Sequence, residues 1–402
     1  MSEWKEYKLK ELGRVVTGNT PSSKFPDEFG NEMPFVTPSD YKNYNKWISF
    51  ADRNLSQKGI DKLQSRVLPE KSLLVTCIGS DMGKVALNKI PVVSNQQINS
   101  IIANENVDAD FLYYKLVGSY EVLRMYGEAG TAVPIVNKSD FENIKIEIPN
   151  SKAEQKSIAE VLSSLDDKID LLHRQNKTLE QFAETLFRQW FLPVRDHTQT
   201  GVEEEWNGTL SEYVKVQGGY AFKSKDFKEN GFAGVIKIRN ISMGMIDIIN
   251  SDFVDEEVIK NIDKRFKIKS GDFLIAMTGA EIGKIGIVEK TEKEIWVNQR
   301  VGKLEAKVPY GDLIGYLALK SREGQEHIIN ACAGSAQENI SSTGIEEMSF
   351  VCYEKEKTDS LGKEIEPLFE KIIFNQGQIN TLTKLRDTLL PKLMSGEARV
   401  TH

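Results

Sequence analysis

The sequence has few cysteines and histidines, and it lacks a long apolar run. Only Cys77, Cys332 and Cys352 occur in 402 residues. They lie far apart with no C-x-x-C pair, so we expect neither a disulfide framework nor a zinc ribbon. No apolar run approaches the roughly 18–20 residues that a membrane span needs. The N-terminal residues MSEWKEYKLK are polar and charged, unlike a secretory signal. A cytoplasmic location in a reducing compartment is therefore predicted.

Recognisable catalytic motifs are also missing. The histidines (His173, His197, His327 and His402) show no metal-binding spacing, so no metal site is predicted. No G-x-S-x-G elbow occurs, and neither N-P-P-Y nor D-P-P-Y, the motifs of amino-methyltransferases, is present. These absences favour a protein that binds and places other proteins over an enzyme.

Two glycine-lysine segments resemble phosphate loops at first inspection. Residues 79–85 read G-S-D-M-G-K-V, and residues 279–285 repeat the pattern. Each has three residues between its glycines where a P-loop has four, and an aliphatic residue follows the lysine in place of Ser or Thr. We interpret both as tight turns between strands. The alternative, an enzyme with nucleotide sites here, predicts nucleotide binding that is lost when Lys84 and Lys284 are changed.

The composition is that of a multidomain globular protein. Hydrophobic residues make up 40% and charged residues 28%, which argues against a disordered chain. A single core stops growing near roughly 250–300 residues, so two or three domains are expected. The net charge of −7 gives by itself no indication of nucleic-acid binding.

The second half of the chain repeats the first. Several matches occur in the same order in both halves, at an offset that drifts only from 200 to about 204, as loop insertions would produce. Chance similarity between β-rich segments does not account for so many collinear matches. The matched features are Trp4 with Trp206, 34–40 with 234–240, 79–84 with 279–284, Asn95-Gln96 with Asn298-Gln299, and 130–132 with 334–336.

Each half ends in one long helix with a heptad seam. Ser151 and Glu154 form a capping-box pattern that starts the first helix. Apolar residues then recur at alternating steps of four and three, which is typical of a coiled coil. The first seam comprises Ile158, Leu162, Leu165, Ile169, Leu172, Asn176, Leu179, Ala183, Leu186 and Trp190. Adding 203 gives the second seam, which comprises Leu361, Ile365, Leu368, Ile372, Asn375, Ile379, Leu382, Arg386, Leu389 and Leu393.

These two helices are predicted to pair antiparallel. Placing Asn176 opposite Asn375 gives a residue sum of 551 and sets every other seam residue against another seam residue. Two facing amides can satisfy each other and thereby fix the register of the helices. The alternative places both asparagines in helix bends that face solvent. Pro367 could kink or delay the second helix, and Leu385 could replace Arg386 on the seam.

Two similar β-rich heads joined by paired helices suit a partner with twofold geometry, and duplex DNA is the leading candidate. Polar and basic loop residues that match between the halves are the predicted DNA contacts, because such side chains contact phosphates and base edges. The alternative for any single basic run is a solvated surface. The predicted contacts are Thr17, Asn19, Thr20, Lys84, Asn95, Gln96, Lys138, Ser139, Tyr220, Lys223, Lys237, Arg239, Asn240, Lys284, Asn298, Gln299 and Arg300.

Three segments resemble the specificity subunit of type I restriction–modification systems. They are G-T-A-V-P-I-V-N-K-S-D-F-E-N-I-K-I at 130–146, E-Q-K-S-I-A-E-V-L-S-S-L-D-D-K-I at 154–169, and L-R-D-T-L-L-P-K-L-M-S-G-E-A-R-V at 385–400. The resemblance implies an α+β fold with two pseudo-symmetric β-rich target-recognition domains, joined by two long antiparallel coiled-coil helices. Each domain would read one half of a split DNA target, and the helices would set the spacer. The implied domains are 1–150, the helix 151–192, the second domain 193–356 and the helix 357–402.

The resemblance also implies partners and cofactors. The helices would dock two methyltransferase subunits, and restriction or translocase subunits would complete a nuclease for phage defence and DNA methylation. The chain itself would be non-catalytic and hold no cofactor, while S-adenosylmethionine, ATP and Mg²⁺ would belong to the partners. Two alternatives remain: a specificity module or scaffold of another DNA-modification assembly, and an adaptor without a role on DNA.

Overall fold

The computed structural model describes residues 3–43, 46–79, 81–128, 134–191, 208–242, 244–332 and 339–400. The chain separates into two compact units, which are residues 1–169 with 382–402, and residues 170–381. The matched segments 130–132 and 334–336, and the predicted domain boundary at 192/193, lie outside the described residues. The fourfold division of the sequence stays a prediction.

The first unit contains the strands and short helices of the first repeat. Its strands are β1 (Trp4–Lys8), β2 (Gly13–Thr17), β3 (Phe29–Gly30), β4 (Met33–Val36), β5 (Trp47–Ile48), β6 (Asn54–Leu55), β7 (Leu73–Thr76), β8 (Val85–Asn88), β9 (Val93–Ser94), β10 (Ile98–Ala103) and β11 (Lys145–Pro149). Its short helices are α1 (Leu9–Leu12), α2 (Gln57–Lys62), α3 (Ala109–Gly118), α4 (Tyr120–Glu128) and α5 (Lys138–Asn143).

The strands of this unit form three sheets. The largest has the order β2-β10-β7-β8-β5, the second β3-β6-β4-β9, and β1 pairs with β11. The predicted glycine turn joins β7 to β8 as an antiparallel hairpin. Gly79 and Gly83 have φ of 88° and 94°, in the left-handed region that glycine adopts without steric cost. A strand follows this turn where a phosphate loop would have a helix, which confirms the interpretation as a turn.

The second unit repeats this order of elements. Its strands are β12 (Gly208–Thr209), β13 (Val214–Gly218), β14 (Ala233–Ile236), β15 (Ile241–Ser242), β16 (Met245–Ile246), β17 (Asp252–Val254), β18 (Lys267–Ile268), β19 (Phe273–Ala276), β20 (Ile285–Val288), β21 (Glu294–Val297), β22 (Val301–Ala306) and β23 (Ser349–Phe350). Its short helices are α7 (Glu256–Ile259), α8 (Gly311–Lys320), α9 (Arg322–Cys332) and α10 (Ser342–Glu346).

The sheets of the second unit repeat those of the first with two differences: β15 is added to the large sheet, and β18 pairs with β21 on one edge of the smaller sheet where the first unit has β3 beside β6 on the other. The orders are β13-β22-β19-β20-β16-β15 and β17-β14-β21-β18, and β12 pairs with β23. In both units the central strands are wholly buried, because the sheet lies between a helix-facing core and a second apolar core. The internal repeat predicted from the sequence is therefore a repeat of topology.

The two predicted long helices are α6 (Lys152–Phe191) and α11 (Lys355–Ser395). Ser151 Oγ accepts from the Glu154 amide at 3.4 Å, as expected of the residue that starts α6. Pro367 does not delay the second helix, because α11 begins twelve residues before it. Burial of Ile365 and Phe369 on either side stabilises the helix at this point, against a cost of about 3 kcal/mol for an interior proline.

In each unit the helix seams contribute to the core. In the first unit Ile158 and Leu162 of α6 share a core with Leu389 and Leu393 of α11, as the residue sum of 551 requires. Leu385 does not replace Arg386 on the seam. Arg386 donates to Asp166 Oδ1 at 3.0 Å, while Leu385 is 45% exposed. The ion pair with a facing carboxylate allows an arginine at this position.

The two seam asparagines meet in the second unit. Asn375 is fully buried, and its Nδ2 donates to Asn176 Oδ1 at 2.8 Å. Asn176 Nδ2 in turn lies 3.5 Å from the Ile372 carbonyl oxygen. The two asparagines face each other as the sequence predicted, and the alternative of two solvent-facing amides is not observed. They do not satisfy each other fully, because one hydrogen bond joins them and the buried Asn375 Oδ1 has no hydrogen-bond partner among the described residues. That the pair selects the register among possible registers stays a prediction.

A double-mutant cycle tests the coupling of this pair. Asn375→Ala alone is expected to lower the free energy of unfolding by about 1–3 kcal/mol, because it removes the partner of a half-buried amide. The double variant Asn176→Ala/Asn375→Ala is expected to cost less than the sum of the single changes, by at least about 0.5 kcal/mol. Urea unfolding measures all three. If the effects of the two single changes are additive, the two asparagines are not coupled and the prediction is contradicted.

Two aromatic residues at the end of α6, Phe187 and Phe191, are buried in the core of the second unit. Phe187 and Phe191 are each 1% exposed. Phe191 stacks on Phe187 and Phe350 at centroid distances of 5.1 and 5.2 Å and meets Tyr213 edge-on at 5.9 Å. Strand β23 and the segment after β12 cover them, and sequence separation conceals this contact. These phenylalanines join α6 to the second domain.

Candidate nucleic-acid interface

A loop and a turn meet at the end of β2 in the first unit. The Gly18 amide donates to the Ile98 carbonyl at 3.1 Å, and the Asn19 amide donates to the Ser94 carbonyl at 2.9 Å. A Cβ at position 18 would lie 2.1 Å from the Asn95 oxygen. Glycine is therefore needed here because the two backbones touch.

Five predicted contacts come together in this frame. Thr20 Oγ1 donates to Gln96 Oε1 at 2.6 Å, and Thr17 Oγ1 donates to Asn99 Oδ1 at 2.7 Å. Asn99 is 3% exposed and was not predicted, because only the pairing of β10 with β2 brings it opposite Thr17. The predicted residues gathered here are Thr17, Asn19, Thr20, Asn95 and Gln96.

The second unit builds the same frame. The Gly219 amide donates to the Val301 carbonyl at 3.0 Å, and the Tyr220 amide donates to the Val297 carbonyl at 2.9 Å. A Cβ at position 219 would lie 2.3 Å from the Asn298 oxygen. Both units thus hold a glycine loop against the turn before a central strand.

The side chains around this second frame form a polar and aromatic cavity. It has a volume of about 320 Å³. Tyr220 is 37% exposed beside it, with its ring 5.1 Å from that of Phe222 and 5.7 Å from that of Phe266. The side chain of Arg300 is exposed. The lining residues are Phe222, Ser224, Phe227, Lys237, Ile238, Asn298, Gln299 and Arg300.

A carboxylate offsets part of the positive charge near this cavity. Asp252 lies 2.6 Å from Lys237 Nζ and 2.8 Å from Arg239 Nη2. Burial alone would raise the pKa of Asp252, but the hydrogen bonds and charges of Lys237 and Arg239 outweigh it and hold the pKa below its usual value. Asp252 was not predicted, because only the pairing of β14 with β17 brings it beside Lys237.

Two of the predicted DNA contacts are buried and hydrogen-bonded within their loops, and their contact with DNA stays a prediction. Asn240 is 2% exposed; its Oδ1 accepts from the Lys237 amide at 2.9 Å and its Nδ2 donates to the Asn250 carbonyl at 3.1 Å. Asn95 is 7% exposed and its side chain bonds Gln97. Both side-chain amides form hydrogen bonds within their own loops, so we infer that they stabilise the conformation of these loops.

The other predicted residues lie apart from the two frames. Lys84 and Lys284 sit on the hairpin tips, where each pairs with an acidic residue, Asp81 at 2.7 Å and Glu281 respectively. Lys138 and Ser139 begin α5, and Lys138 lies 3.5 Å from Glu142 one turn on. Surface pairs of this kind contribute little to stability. Lys223 is exposed in the loop after β13.

Within the described ranges, no three residues of His, Cys, Asp and Glu are arranged to hold a metal ion. No helix there is both long and apolar enough to span a membrane.

The sequence is similar to those of known proteins over nearly its whole length. The sequence matches the family described as "Type I restriction modification DNA specificity domain" twice, at residues 1–181 and 203–384. The MjaIX specificity subunit, a type I restriction enzyme subunit of Methanocaldococcus jannaschii, is 28% identical over 99% of this chain and 94% of its own length. The MjaVIII specificity subunit of the same organism is 24% identical over 99% of this chain and 93% of its own.

A solved structure shares the fold. The crystal structure of a type I restriction–modification S subunit from M. genitalium superposes with a TM-score of 0.59 at 20% identity, covering 98% of this chain and 96% of that one. The double match to the family extends over most of the sequence and both repeats. The chain belongs to the family of type I restriction–modification specificity subunits and carries two DNA specificity domains, one in each half.

Proposed function

We propose that each domain of this chain reads one half of a split DNA target through the loop frame described above. The observation that carries the proposal is the repeated backbone frame with different side chains. Asn19 and Thr20 in the first frame correspond to Tyr220 and Ala221 in the second, and Gln97 corresponds to Arg300. A common scaffold with different polar groups suits two readers of different base sequences.

We infer that the chain contributes recognition while partner subunits contribute chemistry. Methyltransferase subunits would bring S-adenosylmethionine, and restriction or translocase subunits would bring ATP and Mg²⁺. The negative net charge agrees with this division, because a chain of charge −7 has little nonspecific attraction for DNA without partners. A specificity module of a different DNA-modification assembly is the alternative.

Methylome sequencing of cells with and without this chain tests the proposal. A split adenine-methylated motif is expected that disappears without the chain. Exchange of residues 1–150 for the first domain of a relative is expected to change one half of that motif only. A split motif that persists without the chain would overturn the proposal. If the methylation that disappears without the chain lies at a motif that is not split, the alternative assembly is favoured.

The long helices carry the features that we assign to partner docking. Each has two exposed apolar side chains eleven residues apart, a spacing that returns to the same helix face after three turns. Leu171 and Phe182 of α6 are 39% and 54% exposed, and Phe374 and Leu385 of α11 are 55% and 45% exposed. Adding 203 converts the first pair into the second. Two equivalent apolar sets suit two copies of one methyltransferase subunit.

Changing one member of each set tests this assignment. Phe182→Ser is expected to weaken binding of one methyltransferase copy about tenfold or more, because exposed aromatic anchors dominate interface energies. Phe182→Ser/Leu385→Ser is expected to weaken both copies. Native mass spectrometry of the reconstituted complex counts the bound copies. Phe232→Ser is the matched control, since Phe232 is 57% exposed but lies on a loop of the second domain. Full occupancy in the double variant would contradict the assignment.

A further inference from the structure

A tyrosine of each recognition domain bonds a carboxylate on the long helix α6. In the first unit Tyr114 Oη donates to Asp166 Oδ2 at 2.6 Å. In the second unit Tyr316 Oη donates to Glu180 Oε1 at 2.7 Å. Both tyrosines are the sixth residue of a ten-residue helix, α3 in one domain and α8 in the other. The repeat has kept this tyrosine at the same structural position.

The first contact belongs to a buried polar network. Lys46 is 4% exposed and lies 2.6 Å from Asp110 Oδ1, 2.8 Å from Ser163 Oγ and 4.7 Å from the centroid of the Tyr114 ring. The second oxygen of Asp166 accepts from Arg386 of α11 at 3.0 Å. Asp166 therefore receives one bond from the recognition domain and one from α11, and its position depends on both.

The second contact has different neighbours, but it too joins a tyrosine hydroxyl to a carboxylate of α6. Tyr316 is fully buried and packs on Phe273 and on Phe369 of α11 at ring distances of 4.7 and 5.4 Å. Lys320 of α8 forms an ion pair with Glu180 and another with Glu184 at 3.0 Å. Two donors of α8, the Tyr316 hydroxyl and the Lys320 ammonium, thus hold two carboxylates of α6, those of Glu180 and Glu184.

The protonation of these tyrosines keeps both contacts in one form. Burial, followed by the charge of the neighbouring carboxylate, raises the pKa of Tyr114 and of Tyr316 far above the usual value. Each hydroxyl therefore remains a neutral donor across the physiological range. A hydrogen bond from a buried neutral donor to a carboxylate is directional, and it is among the stronger bonds in proteins.

We propose that Tyr114 and Tyr316 are positioning residues, which seat each recognition domain on α6 and thereby determine which spacer length between the half-sites the complex accepts. This inference rests on the proposed reading of a split target. The tyrosines do not contact DNA in this scheme. They act through the carboxylates of α6, because a domain that rocks on its helix tolerates half-sites at more than one separation.

Binding to DNA of altered spacer length tests the inference. The complex reconstituted with its methyltransferase subunits would be titrated with duplexes that carry the methylated motif, or the same motif with the spacer longer or shorter by one base pair. For Tyr114→Phe/Tyr316→Phe, the preference for the natural spacer is expected to fall about tenfold or more, because the variant loses two hydrogen bonds to charged groups. Penalties for single base changes within each half-site should stay unchanged.

Tyr41→Phe is the matched control. Its hydroxyl is buried and donates to the Leu74 carbonyl at 2.9 Å within the first domain, away from α6. It should lower stability without altering spacer preference. Asp166→Asn should retain the preference, because its amide oxygen can still accept from Tyr114, whereas Asp166→Leu should not. This second pair decides the question if the double tyrosine variant fails to fold.

The possible outcomes separate the two proposals. A wild-type complex without sequence-selective binding would refute the proposed function itself. A selective wild-type complex whose double variant keeps its spacer preference would refute the positioning role alone. Equal loss of preference in Tyr41→Phe would also refute it, by showing a general effect of stability.

Discussion

Replacing Arg300 with alanine is expected to weaken binding of the reconstituted complex to its split target roughly 5- to 150-fold, with the whole loss in one half-site. The magnitude corresponds to about 1–3 kcal/mol for a bidentate contact between arginine and guanine. Arg300 is exposed at the rim of the second domain's cavity, beside Gln299. No described carboxylate forms a salt bridge with it, in contrast to Lys237 and Arg239, which share Asp252.

The pattern of the loss distinguishes base reading from phosphate contact. If Arg300 reads a base, the variant should lose discrimination at one position of one half-site and keep it elsewhere. A phosphate contact would instead weaken all sequences equally and reduce the salt dependence by about one charge. Fluorescence anisotropy with single-base variants of the target, at two salt concentrations, measures both. A uniform loss would contradict base reading.

Arg322→Ala controls for the removal of positive charge. Arg322 is an exposed arginine of the same unit, paired with Glu326 at 2.7 Å on α9. Its replacement should change affinity less than about twofold, because exposed ion pairs contribute little. A comparable loss in this variant would show that only net charge matters.

Replacing Phe191 with alanine is expected to destabilise the second unit by about 3–5 kcal/mol, the usual cost of removing a buried phenylalanine. Phe191 is 1% exposed and contacts four further aromatic rings within 6 Å, of Phe187, Phe350, Tyr353 and Tyr213. These rings come from α6, β23, the segment after β12 and the segment between β23 and α11, so one cavity would loosen four segments together.

Hydrogen exchange localises this effect. Amides of β19 and β22, two interior strands of the six-stranded sheet, should exchange more than about a hundredfold faster in Phe191→Ala. Phe182→Ala on the same helix is the control. Because Phe182 is 54% exposed, its change should stay within about 0.5 kcal/mol. Unaltered exchange in Phe191→Ala would mean that α6 ends independently of the second domain.

Local and periodic features were predictable from the sequence. The heptad seams and the residue sum of 551 predicted which helix residues share a core, because a coiled coil depends only on spacing along the chain. The glycine turns were predictable for the same reason, since Gly79 and Gly83 define a hairpin by local conformation. The repeat then implied that whatever the first half builds, the second half builds again.

Contacts between distant strands and loops were not predictable in this way. The neutralisation of Lys237 and Arg239 by Asp252 depends on the pairing of β14 with β17. The burial of Asn240 depends on the loop that carries Asn250. Among the candidate site residues, the sequence therefore identified the two loop frames but not which of their polar groups remain free to bind.

The sequence by itself determined a duplicated chain with two long paired helices and the family to which it belongs, because periodicity and repeated motifs are properties of residue order. Only the tertiary structure decided which side chains are buried or hydrogen-bonded within the fold. It buried Phe187 and Phe191 in a core, and it brought Tyr114 to Asp166 and Tyr316 to Glu180. Those contacts join residues 52 and 136 positions apart, and only packing in three dimensions selects them.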